Sequence, residues 1–139
     1  MRKRARAGVV AALATVLVAS TSTAAYADYY GCESAGGSSL DCHVIYGDST
    51  SSKGEGWFLA YGERLYAYDG AADGRGVYVN ATWWSGSTRH ENGFRLTSGQ
   101  YTSRTLDLGD IAEGTSVTFT TCQTNDGNLL NCRTQTARA

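Results

Sequence analysis

Beyond residue 6 the chain carries no cluster of lysine or arginine, and a single lysine, Lys53, follows the first turn of sequence. Without a basic patch a nucleic-acid partner is not expected, because phosphate binding rests on grouped cations. No window of helical length repeats apolar residues at i, i+3, i+4 and i+7, so helices are not expected. Proline is absent altogether, against about six at average usage. Edges and loops would tolerate it, and nothing physical explains its absence. Catalytic signatures are missing too. No serine sits in G-x-S-x-G; the stretch Cys32-Glu33-Ser34-Ala35-Gly36 fails at its first position. His90-Glu91 lacks the second histidine of H-E-x-x-H. The D-G-A-A-D-G run from Asp69 to Gly74 lacks the ligand rhythm of a calcium loop. The sequence calls for no metal and no cofactor.

What is present begins with an address. Arg2, Lys3, Arg4 and Arg6 precede a run that is apolar from Ala7 to Ala19 except for Thr15, and small residues lead to Ala25-Tyr26-Ala27. A basic start, an apolar middle and an A-x-A end predict a secretory signal peptide over 1–27. The apolar run falls short of the ~20 residues a membrane span needs. The mature chain, 28–139, is then one extracellular domain with no membrane attachment. Its eight basic residues face 13 acidic ones, a net charge of −5.

Four cysteines in a secreted domain predict two disulfides. Cys32/Cys42 and Cys122/Cys132 each enclose nine residues with turn chemistry at the centre, Gly36-Gly37-Ser38 in one and Asp126-Gly127-Asn128 in the other. Loop entropy alone favours cross-pairing of the distant cysteines, at ~4.6 kcal/mol per bridge against ~2.8 for a local one. Hairpin geometry favours the local pairs, Cys32–Cys42 and Cys122–Cys132. Spacers of this length do not fit the short ligand pairs of structural zinc.

Strand patterning dominates the rest. Residues 76–84 alternate, with Val77, Val79, Ala81 and Trp83 on one face and Tyr78, Asn80, Thr82 and Trp84 on the other. Residues 40–46 and 117–121 alternate likewise, and 57–61, 64–68, 94–96 and 105–108 are further strand candidates. Turns are expected at 48–56, 69–74, 85–88, at Asn92-Gly93 and at Asn125-Asp126-Gly127-Asn128. The fold class expected is all-β: a small antiparallel Greek-key, immunoglobulin-like β-sandwich with two hairpin disulfides.

The run Leu65-Tyr66-Ala67-Tyr68-Asp69 with Asp73-Gly74 resembles a motif of small secreted actinobacterial, Streptomyces-type β-sandwich proteins of unknown function. So does Leu106-Asp107-Leu108 with Glu113-Gly114, Val117-Thr118-Phe119, Cys122 and Cys132. The resemblance implies that fold and secretion, and no activity.

Function must then rest on the aromatics. Adjacent on a strand, Trp83 and Trp84 face opposite ways, and Trp83 shares the apolar face. Trp84, Tyr78 and Trp57 are the candidate ligand-binding residues, a stacking surface for a polysaccharide or an extracellular protein. The expectation is a secreted, non-catalytic binding or structural protein. One alternative is an inhibitor of an extracellular hydrolase, presenting 48–56 or 85–93 as a rigid loop. The other is a small hydrolase or nuclease, which needs His90 or His43 beside a carboxylate in a cleft.

Overall fold

A computed structural model describes residues 28–47 and 51–139; the expected leader lies outside them. They form nine strands: β1 (Tyr29–Gly36), β2 (Ser39–Gly47), β3 (Ser52–Leu59), β4 (Arg64–Asp69), β5 (Gly76–Ser85), β6 (Thr88–Leu96), β7 (Thr102–Asp107), β8 (Ser116–Asn125) and β9 (Asn128–Arg138). All pairings are antiparallel, and the described residues contain no helix.

Local chemistry accounts for the hairpins. Asp126 and Gly127 both take positive φ, 47° and 82°, as a two-residue type I′ turn between paired Asn125 and Asn128 requires. One residue is then extra on β9. Register passes from Gln123↔Leu130 to Thr121↔Arg133, so Cys122 faces a bulge holding Asn131 and Cys132. That bulge brings the second cysteine within reach, and the bridge Cys122–Cys132 forms. On β1 and β2, Cys32 and Cys42 are direct partners and bridge each other. The local pairing holds for both, and two disulfides fit an extracellular or otherwise oxidising compartment.

The strands join as one sheet in the order β6-β5-β8-β9-β2-β3-β4-β7, with β1 on β2. A single bridge, Leu40↔Arg138, connects β9 to β2. At the ends of the order, β6 and β7 share no ladder. Instead the Arg104 guanidinium lies 4.7 Å from the centre of the Phe94 ring, across the seam. The sheet therefore curls almost shut, like a barrel, where a two-layered sandwich was expected.

Inside the curl lie Val44, Tyr46, Phe58, Leu65, Val77, Val79, Val117 and Phe119, each at most 1% exposed. Full burial of each large apolar side chain contributes roughly 1.5–3 kcal/mol before entropic costs. The Tyr46 hydroxyl is a buried polar group among them, within 2.9 Å of two acceptors, the carbonyls of Thr121 and Asn131. Burial and the nearby Asp28 raise its pKa, against the opposing charge of Arg133, so it remains a donor.

Two expectations fail, for one physical reason. Residues 52–56, taken as a turn, belong to β3, and Asn92-Gly93, also taken as a turn, sits within β6 opposite Ala81 and Asn80. In both places glycine serves close packing. A Cβ at Gly93 would strike the Val79 carbonyl, and one at Gly56 would lie 2.5 Å from Thr121 Cγ2 and 2.7 Å from Val79 Cγ1. The hairpin between β5 and β6 turns at Gly86-Ser87, within the turn expected over 85–88, between paired Ser85 and Thr88. Gly56→Ala is expected to lose about 1–3 kcal/mol of stability by overpacking. Gly31→Ala, with nothing within 4 Å of its Cβ position and no positive φ, should change little. Urea titration of the two variants checks the contrast.

Candidate functional site

The alternation of β5 sends Trp83 inward, 8% exposed, and Trp84 outward, 58% exposed. The strand ends one residue later at Ser85, so both indoles lie at one end of the curl. Returning along β6, His90 pairs with Trp83 and stacks on it, centroids 5.3 Å apart and planes 13° apart. The third wall follows β7. Asp107 Oδ1 accepts from the Gly109 amide at 2.8 Å and the Leu108 amide donates to the Glu63 carbonyl at 2.9 Å. The chain is thereby turned inward, and Ile111 is buried at 4%.

These three segments enclose a cleft of about 370 Å³. Trp83, Leu108, Ile111 and Ala112 supply apolar wall, and Trp84, Ser85, His90, Asp110 and Thr115 supply polar or stacking groups. Its surroundings are negative. Partial burial raises the pKa of Glu63, helped by the charges of Asp110, Glu113 and Asp107. Beside Trp84 on the outer face, Glu91 accepts from Arg89 at 2.7 Å and from Asn80 at 3.1 Å. The hydrogen bond from Arg89, then that from Asn80, holds the Glu91 carboxyl below its usual range.

The three aromatic candidates do not form one platform. Tyr78 shares the outward face of Trp84 but sits six residues along β5, roughly 20 Å away at ~3.3 Å per residue. It lies half-buried with Arg95 5.6 Å from its ring centre. Trp57 is on β3, with β8, β9 and β2 separating it from β5 one way round and β6, β7 and β4 the other. It donates to Glu55 Oε2 at 3.1 Å and packs 4.5 Å from His43. Of the three, only Trp84 lines this cleft.

The histidines part company as well. His43, 6% exposed, is held between Tyr29 and Trp57, and neither ring nitrogen has a hydrogen-bond partner. His90 lies in the cleft with Asp110, yet no hydrogen bond joins the two. The loops expected of an inhibitor shrink: 85–93 is a paired hairpin with a two-residue turn, and 52–56 is strand. Residues 48–50 of that loop lie outside the described residues. Among the described residues no three metal-ligating side chains gather.

Sequence reasoning missed Asp110, Ile111, Ala112 and Thr115. They lie more than twenty residues beyond Trp84 in the chain, and no local pattern ties a polar corner to a distant strand end. No family model matches the chain, and no curated protein or solved structure matches it either.

Proposed function

We propose that this is a secreted, non-catalytic binding protein that holds a neutral saccharide against Trp84. The observation that carries the reading is the large exposed indole at the lip of a cleft that also presents four hydrogen-bonding side chains, Ser85, His90, Asp110 and Thr115. A pyranose offers an apolar C–H face for the indole and a rim of hydroxyls. Asp110 accepts, His90 donates and accepts, and Ser85 and Thr115 do both. The acidic surroundings of Glu63, Asp107 and Glu113 disfavour an anionic polymer. The leader-like start and the two disulfides support secretion. The two halves of the sheet, whose only backbone bridge is Leu40↔Arg138, read as layers of an immunoglobulin-like Greek-key sandwich closed along one side. A hydrolase reading has one observation in its favour, His90 and Asp110 in the same cleft, so the test must also look for product.

Protein 28–139 is to be incubated with insoluble chitin, cellulose and starch, and bound and free fractions measured. Retention on one polymer is expected, weakened about 30-fold by Trp84→Ala, the scale of a lost aromatic hot spot. Trp57→Phe should bind as the parent does. Equal retention of parent and Trp84→Ala, or retention on none of the polymers, would remove the proposal. Soluble sugar released by the parent and not by His90→Gln would replace it with hydrolysis.

A further inference from the structure

The opposite end of the curl carries a second, larger cleft of about 580 Å³. Three connections line it: the one from β4 to β5, the one from β6 to β7, and the β8–β9 turn. They are tied together locally. The Tyr101 amide donates to the Asp69 carbonyl at 2.7 Å, and Arg95 donates through one terminal nitrogen to the Gly127 carbonyl at 2.9 Å.

Charge in this cleft is unusually arranged. Asp69, at the end of β4, is 2% exposed. Its carboxylate receives one hydrogen bond, from the Ala71 amide at 3.2 Å, and no cation. Arg75 and Arg95 line the same cleft, as does a second carboxylate, the exposed Asp126. Arg75 donates through one terminal nitrogen to Gln123 Oε1 at 3.2 Å, which leaves other N–H groups of both guanidiniums uncommitted to any acceptor. Neither arginine forms an ion pair with Asp69, so these opposite charges share a cleft without neutralising one another. Burying a carboxylate without a cation is costly, and such groups normally come paired. Burial raises the pKa of Asp69; the Ala71 hydrogen bond opposes this, and the negative Asp73 adds to it.

We infer that this cleft binds a small zwitterion of the amino-acid or short-peptide class, its ammonium on Asp69 and its carboxylate on Arg75 and Arg95. Separated charges of both signs suit a ligand that carries both. The ammonium replaces the water Asp69 has lost, with a charge-assisted hydrogen bond. Guanidiniums take a carboxylate with paired donors. Glycines along the wall, Gly74, Gly99 and Gly127 among them, keep side chains out of the ligand's path. This site stands apart from the Trp84 cleft and does not depend on it.

Titration of protein 28–139 with triglycine, followed by the amide resonances of Gly74, Gly76, Gly99 and Gly127, tests the assignment. Saturable shifts are expected. They should weaken at least about tenfold in Asp69→Asn, fall likewise in an Arg75→Gln/Arg95→Gln double variant, and persist in Trp84→Ala. N-acetyl-triglycine amide, which has neither charge, should give no shifts. The fold provides a second readout. Asn keeps the oxygen that accepts from Ala71 and drops the buried charge. A raised carboxyl pKa means that stability is present at acid pH and lost as pH rises through the folded value. Asp69→Asn should therefore match the parent in acid and melt no lower at neutral pH. Absence of shifts with triglycine, equal affinity in Asp69→Asn, or a lower melting temperature for that variant at pH 7 would each overturn the inference.

Discussion

Phe119→Ala is expected to remove about 3–5 kcal/mol of unfolding free energy, the cost of deleting a buried aromatic ring. Phe119 is wholly buried at the middle of β8, a strand paired on both sides, with β5 and with β9. Its ring faces Phe58 of β3 across the interior, 6.5 Å between centroids and tilted 48°. Those strands lie on opposite walls, so the ring fills the span between them, and neither wall can close the gap without breaking a ladder. A domain of this size has about 5–15 kcal/mol in all, so the variant should approach half-unfolding at ambient temperature or melt at least ~10 °C lower. Chemical denaturation measures it. A loss below about 1 kcal/mol would mean that the walls collapse freely onto the space, against the paired ladders described above.

The Cys122→Ala/Cys132→Ala variant ranks next, with an expected loss of roughly 2.8 kcal/mol from loop entropy. More should follow from the contacts the bridge organises. Asn131, the extra residue of the bulge, takes φ 51° and holds Gln123 Oε1 with its side-chain amide at 2.8 Å. Its carbonyl is one of the two acceptors of the buried Tyr46 hydroxyl. Freed of the bridge, the hairpin can slide to the register without a bulge, and the Tyr46 hydroxyl loses that partner. Far-ultraviolet circular dichroism should keep its sheet signal while the urea midpoint drops. An unchanged midpoint would show that the turn at Asp126-Gly127 alone sets the register.

Much of the fold was legible because the relevant forces are local. The alternation of β5 placed Trp83 inside and Trp84 outside, and equal spacing around turn residues placed both disulfides. Illegibility began where a residue's reason lies in a distant neighbour. Gly54 and Gly56 look like loop punctuation, yet they are glycine because Val77, Val79 and Thr121 occupy the space a side chain would need. Asn92-Gly93 has strong turn composition, but ten residues of β5 offer a longer ladder than a turn there would leave. Closure of the sheet was invisible for the same reason, since the Arg104–Phe94 contact joins elements that no periodicity connects. Of the candidate site only Trp84 and His90 could be picked out by type. Asp110 and Thr115 acquire meaning from their position against β5. Asp69 reads as a turn residue in the sequence, and it closes β4 with its bond to the Ala71 amide, but its burial in a cleft that two arginines also line is a property of three loops at once.

The single bridge between β9 and β2 has a mechanical consequence. Hydrogen bonds stitch β6-β5-β8-β9 into one ribbon and β1-β2-β3-β4-β7 into another, while along both hems the ribbons are held almost wholly by side chains. Cold or a chaotrope, which weakens apolar cohesion, is therefore expected to part the ribbons before it unravels either one, and amide exchange should then be faster at Leu40 and Arg138 than within the β5–β8 ladder. Each ribbon also owns one of the disulfides, Cys122–Cys132 in the first and Cys32–Cys42 in the second. A parted molecule therefore keeps a covalently clasped hairpin on either side, a template from which each half can zip up again.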